Sequence, residues 1–156
     1  YAEQVMEYKA EMLYNHDNLD GCAGLEDVTS FEEWIDFENR LKQKYGNGYV
    51  PSEVFLCIRT EDDKVVGIID YRHPLTPFLL QYGGNIGYSV LPAERRKGYA
   101  TAALGEMEKH AKTHGCEESV LFVANDNAAA RNLYAKCGYV FLKKGDYGNF
   151  LKKQLR

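Results

Sequence analysis

The run from Asn85 to Gly98 constrains this chain more than any other stretch. Asn-Ile-Gly-Tyr-Ser-Val-Leu reads as a short apolar strand over 85–91, and Pro92 stops it because proline removes a ladder donor. A loop carrying Arg95, Arg96, Lys97 and Gly98 follows and opens into a helical pattern over 98–114. Ala100, Ala103, Leu104, Met107 and Ala111 share one face of that helix, and small residues there suit close packing on a sheet. A helix N-terminus exposes unpaired N–H groups and the positive end of its dipole. Three consecutive basic residues beside those amides make a cradle for phosphate oxygens, in a chain of net charge -4. The sequence therefore implies a phosphorylated ligand at its centre.

The rest of the chain alternates helix and strand signals, so the fold class is α/β in one domain over 1–156. Val5, Tyr8 and Met12 mark a helix over 2–14, and a polar loop follows over 15–24. A second helix is expected over 30–44, with Ser30 and Glu33 as a capping box. Phe31, Trp34, Ile35, Leu41 and Tyr45 form its apolar face, and Gly46-Asn47-Gly48 ends it. Residues 53–59 and 64–72 read as a hairpin around Glu61-Asp62-Asp63. An apolar loop over 74–84 suits a substrate wall, a dimer contact or simple packing. After the 98–114 helix come a buried-type strand over 119–124, a helix capped by Asp126 or Asn127 and ended by Gly138, and strands over 139–143 and 150–155.

Composition excludes several classes. Mild acidity argues against general nucleic-acid binding, which favours a basic surface. No apolar run reaches the ~18 residues of a membrane span. The chain begins at Tyr1, and no signal peptide is legible. Cys22, Cys57, Cys116 and Cys137 are widely spaced, which implies neither a disulfide framework nor a zinc site and points to a reducing, cytoplasmic setting. Cys57 and Cys137 read as small core residues. His110 and His114 lie four apart, as a metal pair does, but no recognisable metal-ligand motif surrounds them, so solvent exposure is expected and no metal.

Two motifs carry a resemblance. Arg95-Arg96-Lys97-Gly98-Tyr99-Ala100 matches Gln or Arg, two residues, Gly, one residue, Gly or Ala. Asn127, then a helix carrying Tyr134, then Gly138-Tyr139 matches a second pattern. In this order, each after a strand, they resemble the GCN5-related N-acetyltransferases, the GNAT family. Arg72-His73 and Gly83-Gly84-Asn85-Ile86-Gly87-Tyr88 further resemble a bacterial branch of predicted acetyltransferases. The likeness covers roughly the C-terminal two-thirds. It implies a GNAT fold: a mixed central sheet with two splayed parallel strands, here 85–91 and 119–124, flanked by about four helices. The family's fold begins with a strand before its first helix, and none is legible here.

The resemblance also implies a chemistry. Acetyl-CoA is the co-substrate, with its pyrophosphate on Arg95, Arg96, Lys97, Gly98, Tyr99, Ala100 and Thr101. Its pantetheine arm meets the backbone of Ser89, Val90 and Leu91, where one N–H polarises the thioester carbonyl. Asn127 and Ala130 contact the cofactor as well. An alkylammonium, reference pKa ~10.4, loses a proton before it attacks, and a phenol of pKa ~10 can donate to the departing thiolate. Tyr134 is that acid by family position. For the base the residues leave His73, Asp70, Glu53 or a water open, with His73 first because imidazole is the side chain whose charge ordinarily changes near neutrality. The acceptor is an amine: a small molecule, an amino acid, an antibiotic or a peptide. A homodimer is a family habit. The alternative to an enzyme is a non-catalytic acyl-CoA-binding sensor or subunit.

Overall fold

The computed structural model describes residues 1–43 and 50–155. In chain order the elements are α1 (Ala2–Tyr14), a 3₁₀ turn (Leu25–Asp27), α2 (Phe31–Leu41), β1 (Ser52–Arg59), β2 (Lys64–Arg72), α3 (Leu79–Tyr82), β3 (Ile86–Val90), a 3₁₀ turn (Pro92–Glu94), α4 (Tyr99–Thr113), β4 (Glu118–Ala124), α5 (Ala128–Lys136), β5 (Val140–Lys144) and β6 (Gly148–Gln154). No helix of the described residues is long and apolar enough to cross a membrane.

The strands form two sheets of three, ordered β1-β2-β3 and β4-β6-β5. Among the described residues every strand pairing is antiparallel. This corrects the single mixed sheet expected from sequence, and no parallel ladder joins β3 to β4. The two sheets meet at one isolated antiparallel bridge, Gly84 to Leu121. Asn85 clasps that junction: its N–H donates to the Val120 carbonyl at 3.0 Å, and its Oδ1 accepts from the Val120 N–H at 2.9 Å. β3 is thus an edge strand rather than a central one.

The core is split by the first sheet. One cluster gathers Val5, Tyr8 and Met12 of α1, Trp34 of α2, Cys22, Leu25 and Ile68. The other gathers Ile69, Tyr71 and Ile86 with Leu104, Met107 and Ala111 of α4, Leu121 and Val123 of β4, and Tyr134 and Tyr139. Adjacent strand residues face opposite sides, which is why Ile68 and Ile69 separate. Val66 is the extra residue where the β1–β2 register shifts, and this bulge puts Val65 on the same side as Ile68.

Local differences from the sequence reading have physical causes. Ser30 Oγ accepts from the Glu33 N–H at 3.2 Å, but the Glu33 carboxylate returns to Thr29, N–H at 2.7 Å and Oγ1 at 3.0 Å, so the box closes one residue early. Trp34 and Glu38, one turn apart, take the buried face of α2, while Ile35 is exposed. Tyr45 and Gly46-Asn47-Gly48 lie outside the described residues. The 74–84 loop contains α3, which buries Leu79 and leaves Phe78 and Tyr82 exposed with their rings 4.8 Å apart. Cys22 is the fully buried thiol, and Cys57 and Cys137 are half-buried.

Candidate functional site

The alternation of β3 decides which of its amides are available. Leu91 N–H donates to the Val66 carbonyl of β2, and Ser89 pairs with Ile68 in the same register. In an antiparallel ladder successive residues point their amides to opposite sides. Tyr88 and Val90 therefore turn theirs toward the open edge, and no acceptor for either N–H is found among the described residues. The Ser89 side chain faces α1, accepting from the Tyr8 hydroxyl at 2.9 Å. Of the strand residues singled out from sequence, Ser89 and Leu91 are committed to the fold and Val90 is not. Tyr88, unremarked as a binding residue in the sequence, joins it.

The basic loop divides in the same way. Arg95 lies back along β3, with Nε donating to the Val90 carbonyl at 3.1 Å and Nη2 paired to Asp17 at 3.0 Å. Lys97 pairs with Glu94 at 2.9 Å, a buried carboxylate that also holds Arg59 at 2.7 Å and Lys64 at 3.3 Å. Arg96 is exposed at φ 64°, and no ion pair to it is found among the described residues. Gly98 caps α4 at φ 89°, a conformation glycine adopts without strain, and a Cβ there would meet nothing within 4 Å. The first intrahelical bond is Ala102 N–H to the Gly98 carbonyl, so the amides of Tyr99, Ala100 and Thr101 lack an intrahelical acceptor. The first turn of α4 holds no acidic residue. An open space, free amides and an unpaired guanidinium fit a phosphate group.

Tyr134 reaches the same edge from the other side. Asn127 Oδ1 accepts from the Ala130 N–H at 3.0 Å and starts α5, which carries Tyr134 in its last turns. Its ring is 6.0 Å from Tyr88, edge-on, and 5.8 Å from Tyr139. Burial pushes its hydroxyl well above the ordinary phenol range, and the Tyr88 oxygen it bonds adds to the effect. Such a group keeps its proton at neutral pH and is an acid rather than a base.

Three carboxylates converge here: Asp70, a candidate base in the sequence, and Asp20 and Glu38, which the sequence did not single out. The Asp20 carboxyl is raised by burial and by the Asp70 and Glu26 charges against the pull of Arg72, and its own charge acts on Tyr134. Its loop lies hard against β3: a Cβ on Gly21 would fall 2.3 Å from the Gly87 carbonyl oxygen. Asp70 accepts from Arg72 Nη2 at 3.0 Å and from the Gly87 N–H at 2.8 Å. Glu38 is buried with no hydrogen-bond partner for either oxygen among the described residues, and burial, with Asp70 adding, pushes it up to about 7. The Arg72 Nε is likewise unpartnered. Composition carries no signal for this cluster, because its members come from a loop, a helix and a strand.

His73 stands elsewhere. Its Nδ1 is 3.0 Å from Cys116 Sγ, and its ring stacks on Tyr71 at 5.9 Å. Tyr88 pairs with Ile69, so His73 is four residues further along, about 13 Å at strand rise. The fold therefore does not bring His73, the first choice of base, up to the Tyr88–Tyr134 pair. Glu53 lies with the His73 group at 2.8 Å from His110 Nε2, supplying a third ligand type from β1. An apolar recess of about 380 Å³ between β1 and α4 is lined by Phe55, Cys57, Ile69 and Met107 and lies apart from the Tyr88–Tyr134 edge.

Family comparison decides the grouping. The model described as the acetyltransferase (GNAT) family matches residues 13–139. The chain belongs to that family. Among solved structures, it is similar to the PaiA N-acetyltransferase of Thermoplasma acidophilum in complex with coenzyme A. That match has 17% identity, TM-score 0.61, and covers 97% of this chain and 91% of that one. It is similar to the N-acetyltransferase PseH of Campylobacter jejuni at 18% identity, TM-score 0.61, covering 97% and 87%. A third is a mutant form of the spermidine/spermine N-acetyltransferase SpeG of Vibrio cholerae, at 16% identity, TM-score 0.60, covering 94% and 90%. No curated protein sequence matches the chain. These likenesses establish the GNAT fold, and the family membership makes the chain an acetyltransferase.

Proposed function

We propose that this chain transfers acetyl from acetyl-CoA to a primary amine by direct attack. The observation that carries the reading is the open edge of β3, where the Val90 N–H has no ladder partner, Tyr88 meets Tyr134, and the chain leads on to the free amides of α4. Acetyl-CoA supplies an activated acetyl thioester. Arg96 and the amides from Gly98 to Thr101 hold its pyrophosphate. Its pantetheine arm enters where β3 and β4 part beyond the Gly84–Leu121 bridge, and Asn127 and Ala130 flank it. The Val90 N–H donates to the acetyl carbonyl oxygen. Tyr134 returns a proton to the departing sulfur. Related structures bound to coenzyme A or acetyl coenzyme A support the choice of co-substrate.

Asp20 holds the amine and takes its proton, directly or through one water. Asp20 and Asp70, with Glu38 adding charge above about pH 7, outnumber the single Arg72 and leave the acceptor side with surplus negative charge, which suits a cationic amine. A structural neighbour named for spermidine and spermine acetylation is consistent with that class.

Calorimetric titration with acetyl-CoA tests the cofactor assignment, on wild type and Gly98→Glu. Binding to wild type that fails in the variant is expected, followed by thiol release with primary amines and polyamines. A folded wild type that binds no acetyl-CoA sinks the proposal, and binding without turnover of any amine leaves the sensor reading instead.

A further inference from the structure

We infer that Glu53, His110 and His114 form a binding site for a divalent transition-metal cation of the zinc type, independent of the acetyl-transfer site. His110 in the last turn of α4 and His114, the residue that caps it, lie four apart with their rings 4.4 Å between centroids. β1 places Glu53 against them. Its Oε2 is 2.8 Å from His110 Nε2 and 3.9 Å from His114 Nε2, and one ligand atom from each residue lies within 4.8 Å of the others. A zinc ion about 2.0 Å from each donor sets tetrahedral donors roughly 3.3 Å apart. The difference is within the reach of two half-exposed side chains.

The other contacts of the two imidazoles point the same way. His114 Nδ1 lies 3.0 Å from the His110 carbonyl oxygen. A carbonyl oxygen only accepts, so in this contact Nδ1 donates, and Nε2 is turned toward the Glu53 carboxylate. At 3.9 Å these two atoms leave room for a cation between them. An imidazole fixed through Nδ1–H to a carbonyl is the arrangement that orients metal-ligating histidines. The His110 ring is held edge-on by Tyr71 at 5.4 Å and by Phe55 at 5.0 Å.

A fourth position is open to water or to neighbouring donors. The His73 ring is 6.1 Å from His114, and its Nδ1 engages Cys116. Two imidazoles and a carboxylate select zinc, cobalt, nickel or copper over magnesium or calcium, which take all-oxygen shells. Side-chain exposures of 42% for Glu53 and 40% for His114 give the ion an entry path. Bound there, it ties β1 to the C-terminal end of α4.

The test uses the full chain, stripped with a chelator and titrated calorimetrically with Zn²⁺, with Co²⁺ absorption as the second readout. One ion per chain is expected, in the micromolar range or tighter. His114→Ala and Glu53→Gln, both at the surface, should each weaken it at least about tenfold. His16→Ala, on the loop after α1, should leave it unchanged. The Co²⁺ complex of wild type should show the intense visible bands of a four-coordinate ion. Absence of Zn²⁺ binding by wild type overturns the site, as does equal binding by wild type, His114→Ala and Glu53→Gln.

Discussion

The Tyr134 ring stands edge-on to Tyr88, centroids 6.0 Å apart and planes at 87°, so α5 and β3 bring two phenols together at an unpaired sheet edge. Burial raises both hydroxyls, Tyr134 well beyond the ordinary range. In Tyr134→Phe the ring packing survives and the donated proton is lost. The expected result is a fall in kcat on the order of 10²-fold with acetyl-CoA binding within about threefold of wild type. Steady-state thiol release and calorimetry on the same preparation check it.

Asp20→Asn removes the proposed amine-holding charge while keeping its size. KM for the amine should rise by about tenfold or more, and acetyl-CoA affinity should stay unchanged. The Asp20 carboxyl is raised by burial, so it loses its proton later than an ordinary aspartate as pH climbs. The acidic limb of kcat/KM should flatten in Asp20→Asn and persist in His73→Ala. The reverse pattern would restore His73 as the base.

Glu38 has a direct stability consequence. Its folded value is about 7 against an ordinary 4.5, so between those limits the folded state binds more protons than the unfolded. Stability from this group is full below pH 4.5, falls as pH rises, and is gone above about 7. Glu38→Gln should therefore stabilise the protein at pH 8, by on the order of 3 kcal/mol, and change little at pH 4. Urea denaturation at the two pH values separates this from a uniform effect.

Asn127→Ala removes the acceptor of the Ala130 N–H and should cost about 1 kcal/mol. Asn127→Asp keeps that acceptor and should restore the stability. If the side chain also meets the cofactor, the alanine variant loses acetyl-CoA affinity as well. Thermal melts with and without acetyl-CoA distinguish the two contributions.

Gly98→Ala places a Cβ into open space but at φ 89°, so strain alone should destabilise by about 1 kcal/mol. That corresponds to a loss of roughly 2–4 °C in Tm for a chain of this size. Gly98→Glu adds negative charge beside the free amides and should abolish acetyl-CoA binding while costing little more stability. Equal binding losses in both variants would locate the effect in the backbone instead.

Local chemistry is written in neighbouring residues, and the sequence by itself determined it here. The strand ending at Pro92, the loop from Arg95 to Gly98 and the helix after it need only each other, and so does the run from Asn127 to Gly138. They were enough to identify the family and to mark the helix end proposed to meet phosphate. Tertiary structure decided everything that depends on which side of an element faces what. The β2 pairing left Val90 open and spent Leu91 on Val66; shifting the ladder by one residue would exchange them. Burial converted Asp20 and Glu38 from unremarkable acids into raised ones, because desolvation comes from residues distant in the chain. Glu53 and His110 are 57 positions apart and 2.8 Å apart in space, a proximity set by the packing of α4 on the β1–β2 hairpin.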